Sequence, residues 1–200
     1  MKAKLPKLFK SLTTFLFLLI CFCSKQNKTP EKIAELTFEI DSTKLELMIS
    51  DQNLGIQFNA PKGWTPVPPA MLEQFNQQDS AVFLEGSSFV IQPIFIFLNN
   101  VDKSLLYVSK IQNAQDSISI DGYKQSIQKH LVPTKMGDFR KDGIIFTQFL
   151  IQDENHVIIK LLFFNSRNQL IQFDYIVPKD VYLAELKAIE SSIGSIKLIG

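Results

Sequence analysis

Thiols are scarce in this sequence and confined to its first residues. Its two cysteines, Cys21 and Cys23, both fall within the first 23 residues, and the rest of the chain has none. No disulfide framework, thiol nucleophile or cysteine metal site can therefore form beyond that point. Histidine is equally scarce: His130 and His156 stand without a His-x-x-x-His or Glu-x-x-His spacing, so they supply no pattern of convergent metal ligands. Only eight glycines are present, with no glycine-rich phosphate loop and no Gly-x-Ser-x-Gly elbow around a serine nucleophile. A basic surplus is missing too. Lys2, Lys4, Lys7 and Lys10 precede residue 23 and none of the 20 acids does, so the remaining chain carries about −3 of the formal charge. Phosphate binding needs a clustered basic surface, which excludes nucleic acid as a partner. No apolar run reaches the roughly 20 residues that a spanning helix requires.

Phenylalanine is what the sequence has in quantity. Seventeen Phe stand against one Trp and four Tyr, in a 200-residue chain that is 46% hydrophobic and 20% charged. Phe brings buried area without a polar handle, so these rings read as core filler of one globular domain.

The first residues have the layout of a secretory leader. A basic segment ends at Lys10, and an apolar run, Phe15-Leu16-Phe17-Leu18-Leu19-Ile20-Cys21-Phe22, leads to Cys23. The chain then turns polar at Ser24-Lys25-Gln26-Asn27-Lys28-Thr29-Pro30, the composition of a flexible tether. A cysteine closing an apolar leader ahead of a polar tether resembles bacterial lipoprotein precursors. That resemblance implies cleavage before an acylated cysteine and a membrane anchor made of lipid. Cys23 is the better candidate and Cys21 the alternative. The family prefers a small residue before its cysteine, whereas here Phe22 precedes Cys23 and Ile20 precedes Cys21. The expected organisation is a leader over residues 1–23, a tether over 24–32 and a domain over 33–200, with 33–49 as an extra arm or hairpin.

Within the domain, Leu36-Phe38-Ile40 and Leu45-Leu47-Ile49 alternate at period two around the turn-like Asp41-Ser42-Thr43-Lys44. Leu54–Phe58 predicts another short strand, and Pro69 opens a helix predicted over 69–78. The stretch 88–98 is apolar on both faces, with Pro93 marking a bulge or an edge. A strand is predicted near 105–111. Asp121 caps a helix over 121–131, where Tyr123, Ile127 and Leu131 repeat every four residues. Strands at 144–152, 157–164 and 170–177 are joined by short polar turns, which force antiparallel neighbours. Pro178 opens a last helix over 180–193, and a short strand over 195–198 closes the chain. Ile145 and Phe149 point one way from the first strand of this meander while Ile144, Phe146 and Leu150 point the other, so the sheet is covered on both faces. The three helices are the expected covers. The fold class read from the sequence is α+β, an antiparallel sheet in an α/β/α sandwich.

This order of elements resembles the Mog1/PsbP-like superfamily over roughly residues 50–200. The residues that carry the resemblance are Phe58-Asn59-Ala60-Pro61-Lys62-Gly63-Trp64, before the first helix, and the terminal Ser195-Ile196-Lys197. It implies a non-catalytic accessory or binding role and no cofactor. No residues here match the metal sites of some members.

The functional expectation is a lipid-anchored cell-envelope protein that faces the periplasm or exterior and engages a protein partner. The alternative is a carrier or sensor of an apolar small molecule, and a hydrolase stands behind both. Trp64, beside a proline-rich loop, is the candidate ligand or partner contact; the competing reading is that it packs the loop onto the domain. His156, after Asp153-Glu154-Asn155, reads as a solvated turn residue rather than a cation ligand. Ser191-Ser192 reads as a frayed helix end rather than a nucleophile.

Overall fold

The computed structural model describes residues 33–68, 71, 89–113 and 119–200. Cys21, Cys23, the leader and the tether lie outside the described residues, as does the helix expected over 69–78 apart from Met71. In chain order the strands are β1 (Ala34–Glu35), β2 (Leu45–Asp51), β3 (Ile56–Pro61), β4 (Trp64–Pro66), β5 (Phe89–Asn99), β6 (Leu105–Asn113), β7 (Lys135–Lys141), β8 (Ile144–Gln152), β9 (His156–Phe164), β10 (Leu170–Pro178) and β11 (Lys197–Leu198). The helices are α1 (Ile120–Leu131) and α2 (Tyr182–Ser195), with one turn of 3-10 helix at Ser42–Lys44.

The meander β8-β9-β10 forms where it is expected, because its turns satisfy their own donors. Asp153 Oδ1 accepts from the backbone of Asn155 and His156 at 2.7 Å each. Asn165 Oδ1 accepts from Arg167 and Gln169 at 3.0 and 2.8 Å. Asp142 and Gly143 both hold positive φ, the two-residue turn that matches strand twist, so 144–152 gains a partner on its other side. That partner, β7, has the sequence KMGDFRK, which carries no apolar alternation and predicts nothing. It pairs with β8 throughout, from Lys135↔Leu150 to Lys141↔Ile144.

Eight strands form one sheet in the order β1-β7-β8-β9-β10-β6-β5-β4, antiparallel except for the parallel β1–β7 pair. A second sheet of three runs β11-β3-β2. The expected α/β/α sandwich is therefore corrected: the described residues are mostly strand, hold two helices, and build a mixed sheet that helices do not sandwich. Ile56, Phe58 and Ala60 of β3 turn inward with Ile189 and Ile193 of α2, into one cluster with Phe97, Phe146, Phe163 and Phe173 of the large sheet. One face is thus covered by the small sheet together with α2. On the other face, Tyr123 and Ile127 of α1 pack with Tyr107, Phe149, Leu162 and Ile176. Strands apolar on both sides report that each face is covered; they do not report whether a helix or a sheet covers it.

Three local expectations shift. The alternation at 36–40 forms no strand beyond β1; Asp41 instead accepts from Thr43 N at 3.0 Å and starts the 3-10 turn. The helix at 120–131 is capped by Ser119, whose Oγ accepts from Gly122 N at 3.3 Å, with Asp121 two places further in. Pro178 ends β10 opposite His156 rather than opening α2. The irregularity expected at Pro93 is a register shift between Pro93 and Phe95.

Candidate functional site

The small sheet meets α2 through serines. Lys197↔Gln57 and Leu198↔Ile56 pair β11 with β3, and where that pairing stops, Ser195 Oγ accepts from Asn59 N at 2.8 Å. Ser192 Oγ donates to Asn59 O at 2.6 Å and also lies 2.8 Å from the Tyr175 hydroxyl. The backbone N–H and C=O of Asn59 therefore point toward α2, away from β2. Antiparallel alternation then makes Ile49↔Phe58 the hydrogen-bonded pair and turns the N–H and C=O of Met48 and Ser50 outward. β2 is the last strand of its sheet, so these groups face an open edge.

Side chains accentuate that edge. A register shift between Leu45 and Met48 breaks the alternation expected for 45–49 and leaves Leu47 88% and Met48 60% exposed. Around them lies an open groove of about 450 Å³ with Ile40, Ser42, Asn59 and Lys197 on its walls. Glu46 in the groove accepts from Gly63 N at 2.8 Å and lies 3.8 Å from the Lys62 ammonium. A second recess of about 310 Å³ opens at β7, bordered by Leu36, Met136, Leu150 and Tyr182.

The other polar concentration is internal. Lys160 Nζ donates to Asp174 Oδ1 at 2.6 Å, with the two residues 1% and 0% exposed. Gln172 Nε2 donates to Asp174 Oδ2 at 2.5 Å, and the Tyr123 hydroxyl donates to Gln172 Oε1 at 2.6 Å. Burial, reinforced by the Asp174 charge, pushes the Tyr123 phenol well above its usual range, against the Gln172 bond. The chain of bonds ties α1 to β10 and β9 and is closed to solvent, so it holds structure together rather than presenting a reactive group.

Trp64 is 1% exposed. Its Nε1 donates to Glu185 Oε2 at 3.2 Å and its ring centroid lies 6.3 Å from that of Tyr175, so the indole pins β4 to the start of α2. His130 Nδ1 lies 2.8 Å from the Ser126 carbonyl on the exposed side of α1. His156 Nδ1 lies 3.5 Å from Asp153 Oδ1 in a half-exposed turn. Burial raises the Asp153 carboxyl, but the N–H bonds from His156 and Asn155 outweigh it and hold the group below its usual value. The structure does not bring Trp64 and the two histidines together. Among the described residues no three His, Cys, Asp or Glu lie close enough to hold a metal ion, and no helix is long and apolar enough to cross a membrane. Ser191 and Ser192 are buried working members of α2, not a frayed end. The open β2 edge escaped sequence reasoning because regular alternation at 45–49 implied a buried face; the exposed pair arises from the bulge.

No family model matches the chain, and comparison with curated proteins returned no match. Among solved structures, the chain is similar to the solution structure of the cyanobacterial PsbP protein, CyanoP, from Synechocystis sp. PCC 6803. The two share 14% identity at a TM-score of 0.50, over 80% of this chain and 95% of that one. At that identity the likeness speaks for the fold, and the fold is PsbP-like.

Proposed function

We propose that this chain is a non-catalytic accessory protein of the cell envelope, held to a membrane by lipid at Cys23, that binds a protein partner along β2. The observation that carries the docking is the conjunction at Met48: outward backbone N–H and C=O on an open edge, beside two exposed apolar side chains. Open edges are usually shortened, charged or covered, because they pair with other chains. An edge that instead presents Leu47 and Met48 suits addition of an extended partner segment. The PsbP-like fold and the leader's resemblance to lipoprotein precursors support the accessory role and the anchor. The carrier reading gains nothing from the interior, where Phe58 meets Phe97 and Phe173 edge-on at 6.0 and 5.1 Å and the rings fill one another's space.

Photocrosslinking tests the docking. A photoreactive phenylalanine at position 47 of the full-length chain, irradiated in intact membranes, should give one discrete protein adduct. The same group at Val101, 92% exposed on the β5–β6 turn, should not give it. Identical adducts from both positions, or none from position 47, would remove the docking assignment. The anchor is tested separately, since Cys23→Ala must abolish fatty-acid labelling.

A further inference from the structure

Residues 36–41 cross the outer side of α2 without regular structure, and their seating depends on a single glycine. A β-carbon added at Gly194 would lie 2.7 Å from Phe38 Cβ, closer than real β-carbons stand, and a tight 3.0 Å from Ile40 Cγ1. The rest of the hold is light. Leu36 N donates to Arg140 O at 2.8 Å, Asp41 N donates to Ser191 Oγ at 3.1 Å, and Lys187 Nζ donates to Glu39 O at 3.0 Å. The Phe38 ring lies 5.8 Å from that of Phe139. Leu36 and Ile40 remain 42% and 46% exposed, and β1 contributes only two paired residues. A segment with few buried contacts and surface hydrogen bonds is the kind that opens locally, well before the core unfolds.

The same segment furnishes the groove. Ile40, and Ser42 just beyond it, line the recess beside Leu47 and Met48, together with Gln57 and Asn59 of β3 and Ser195 of α2. We propose that residues 36–41 are a clasp with a seated and a released state, set by the fit of Phe38 and Ile40 over Gly194. The groove at β2 is complete only in the seated state. The clasp deepens the docking reading above and, for the groove's occupant, rests on it: a partner segment that pairs with β2 and reaches over the groove touches Ile40 as well as Met48. Its binding then favours the seated state, and release of the clasp removes one wall of its site.

Two variants of the full-length chain separate the clasp from the docking. Gly194→Val expels the clasp by volume, and the double change Phe38→Ala with Ile40→Ala removes its grip without adding bulk. Hydrogen exchange read by mass spectrometry should show amides of residues 36–41 exchanging at least about tenfold faster in both variants, with β9 and β10 unchanged. The crosslink from position 47 should be lost in parallel. Unchanged exchange at 36–41 in both variants, or acceleration that spreads equally to β9 and β10, would overturn the clasp. Faster exchange with an undiminished crosslink would overturn its role as the groove wall. Absence of the crosslink from the unsubstituted chain would overturn the docking reading alone, and the exchange rates would still decide the clasp.

Discussion

Ser195 stands opposite Asn59 in the register that β11 sets, yet it meets the strand with its hydroxyl and not with its backbone. The helix has not ended there, so a side chain does what a main chain does two residues later. Ser192, one turn back, completes the substitution by donating to the Asn59 carbonyl while touching the Tyr175 hydroxyl. A buried donor or acceptor left without its partner costs about 1–3 kcal/mol. Ser192→Ala strands the Asn59 carbonyl and the Tyr175 hydroxyl together, so it should cost about 2 kcal/mol or more. Ser195→Ala should cost less, about 1 kcal/mol, and urea unfolding of the two variants should rank them in that order.

Trp64 is the sole tryptophan and reports its own environment. Its fluorescence should be blue-shifted in the native chain and move red cooperatively on unfolding. Trp64→Ala removes a filled volume between β4, α2 and Tyr175 and should destabilise by about 3–5 kcal/mol. A thermal melt that leaves the midpoint unmoved would contradict the packing described for this ring.

Lys160 and Asp174 form a fully enclosed ion pair with Gln172 as second partner of the carboxylate. Removing one charge leaves the other buried and uncompensated, so Asp174→Leu or Lys160→Met alone should cost about 3–5 kcal/mol. The double replacement removes both desolvation costs and should recover most of that loss. Equal destabilisation by the double and single variants would show that the pair does not act as a unit.

Tyr123 and Tyr175 both have phenols that burial pushes upward, Tyr175 against the pull of its Ser192 bond. In the unfolded chain these groups ionise near the ordinary phenol value of 10.0, while the folded chain keeps them neutral above it. The unfolded state therefore binds fewer protons above that pH, and stability must fall as pH rises through it. Below it the contribution is fully present. Denaturant titrations at alkaline pH should show this slope, and replacing both residues with Phe should flatten it.

Leu47 and Met48 are exposed and touch no core cluster, so charging them should cost the fold little. Leu47→Asp should change stability by no more than about 0.5 kcal/mol. The same change should abolish the membrane crosslink when the photoreactive group stands at position 48, which separates a docking role from a folding one.

The meander β8-β9-β10 was legible because its signals are local: apolar runs bounded by Asp, Asn and Gly turns that bond to themselves. The helix at 120–131 was legible from the four-residue repeat of Tyr123, Ile127 and Leu131. What was not legible is tertiary in origin. β7 exists because the Asp142-Gly143 turn folds a charged segment onto β8, and its one inward ring, Phe139, stacks on Phe146 at 5.0 Å. The small sheet is assembled from segments at opposite ends of the chain, and no local pattern announces that. The same holds for the site. Trp64 drew attention for its rarity and sits in the core. The exposed pair at Leu47 and Met48 reads as ordinary alternation until the bulge is seen, and no local signal shows that Phe38 lies across Gly194.

The pairing of β11 with β3 also sets the order in which the molecule can be finished. Ile199 N donates to the Gly55 carbonyl at 2.9 Å, and Leu198 stands opposite Ile56. While the chain is being made, β2 and β3 exist as a bare hairpin long before residues 197 and 198 emerge. Their inner face has the Phe cluster to rest on, but their α2-side edge has nothing to pair with until the end. Closing so long a loop is slow, because its entropy is lost before the contacts compensate. Completion of the small sheet is thus expected late in folding, and removal of residues 197–200 would leave β3 paired with a strand on one side only.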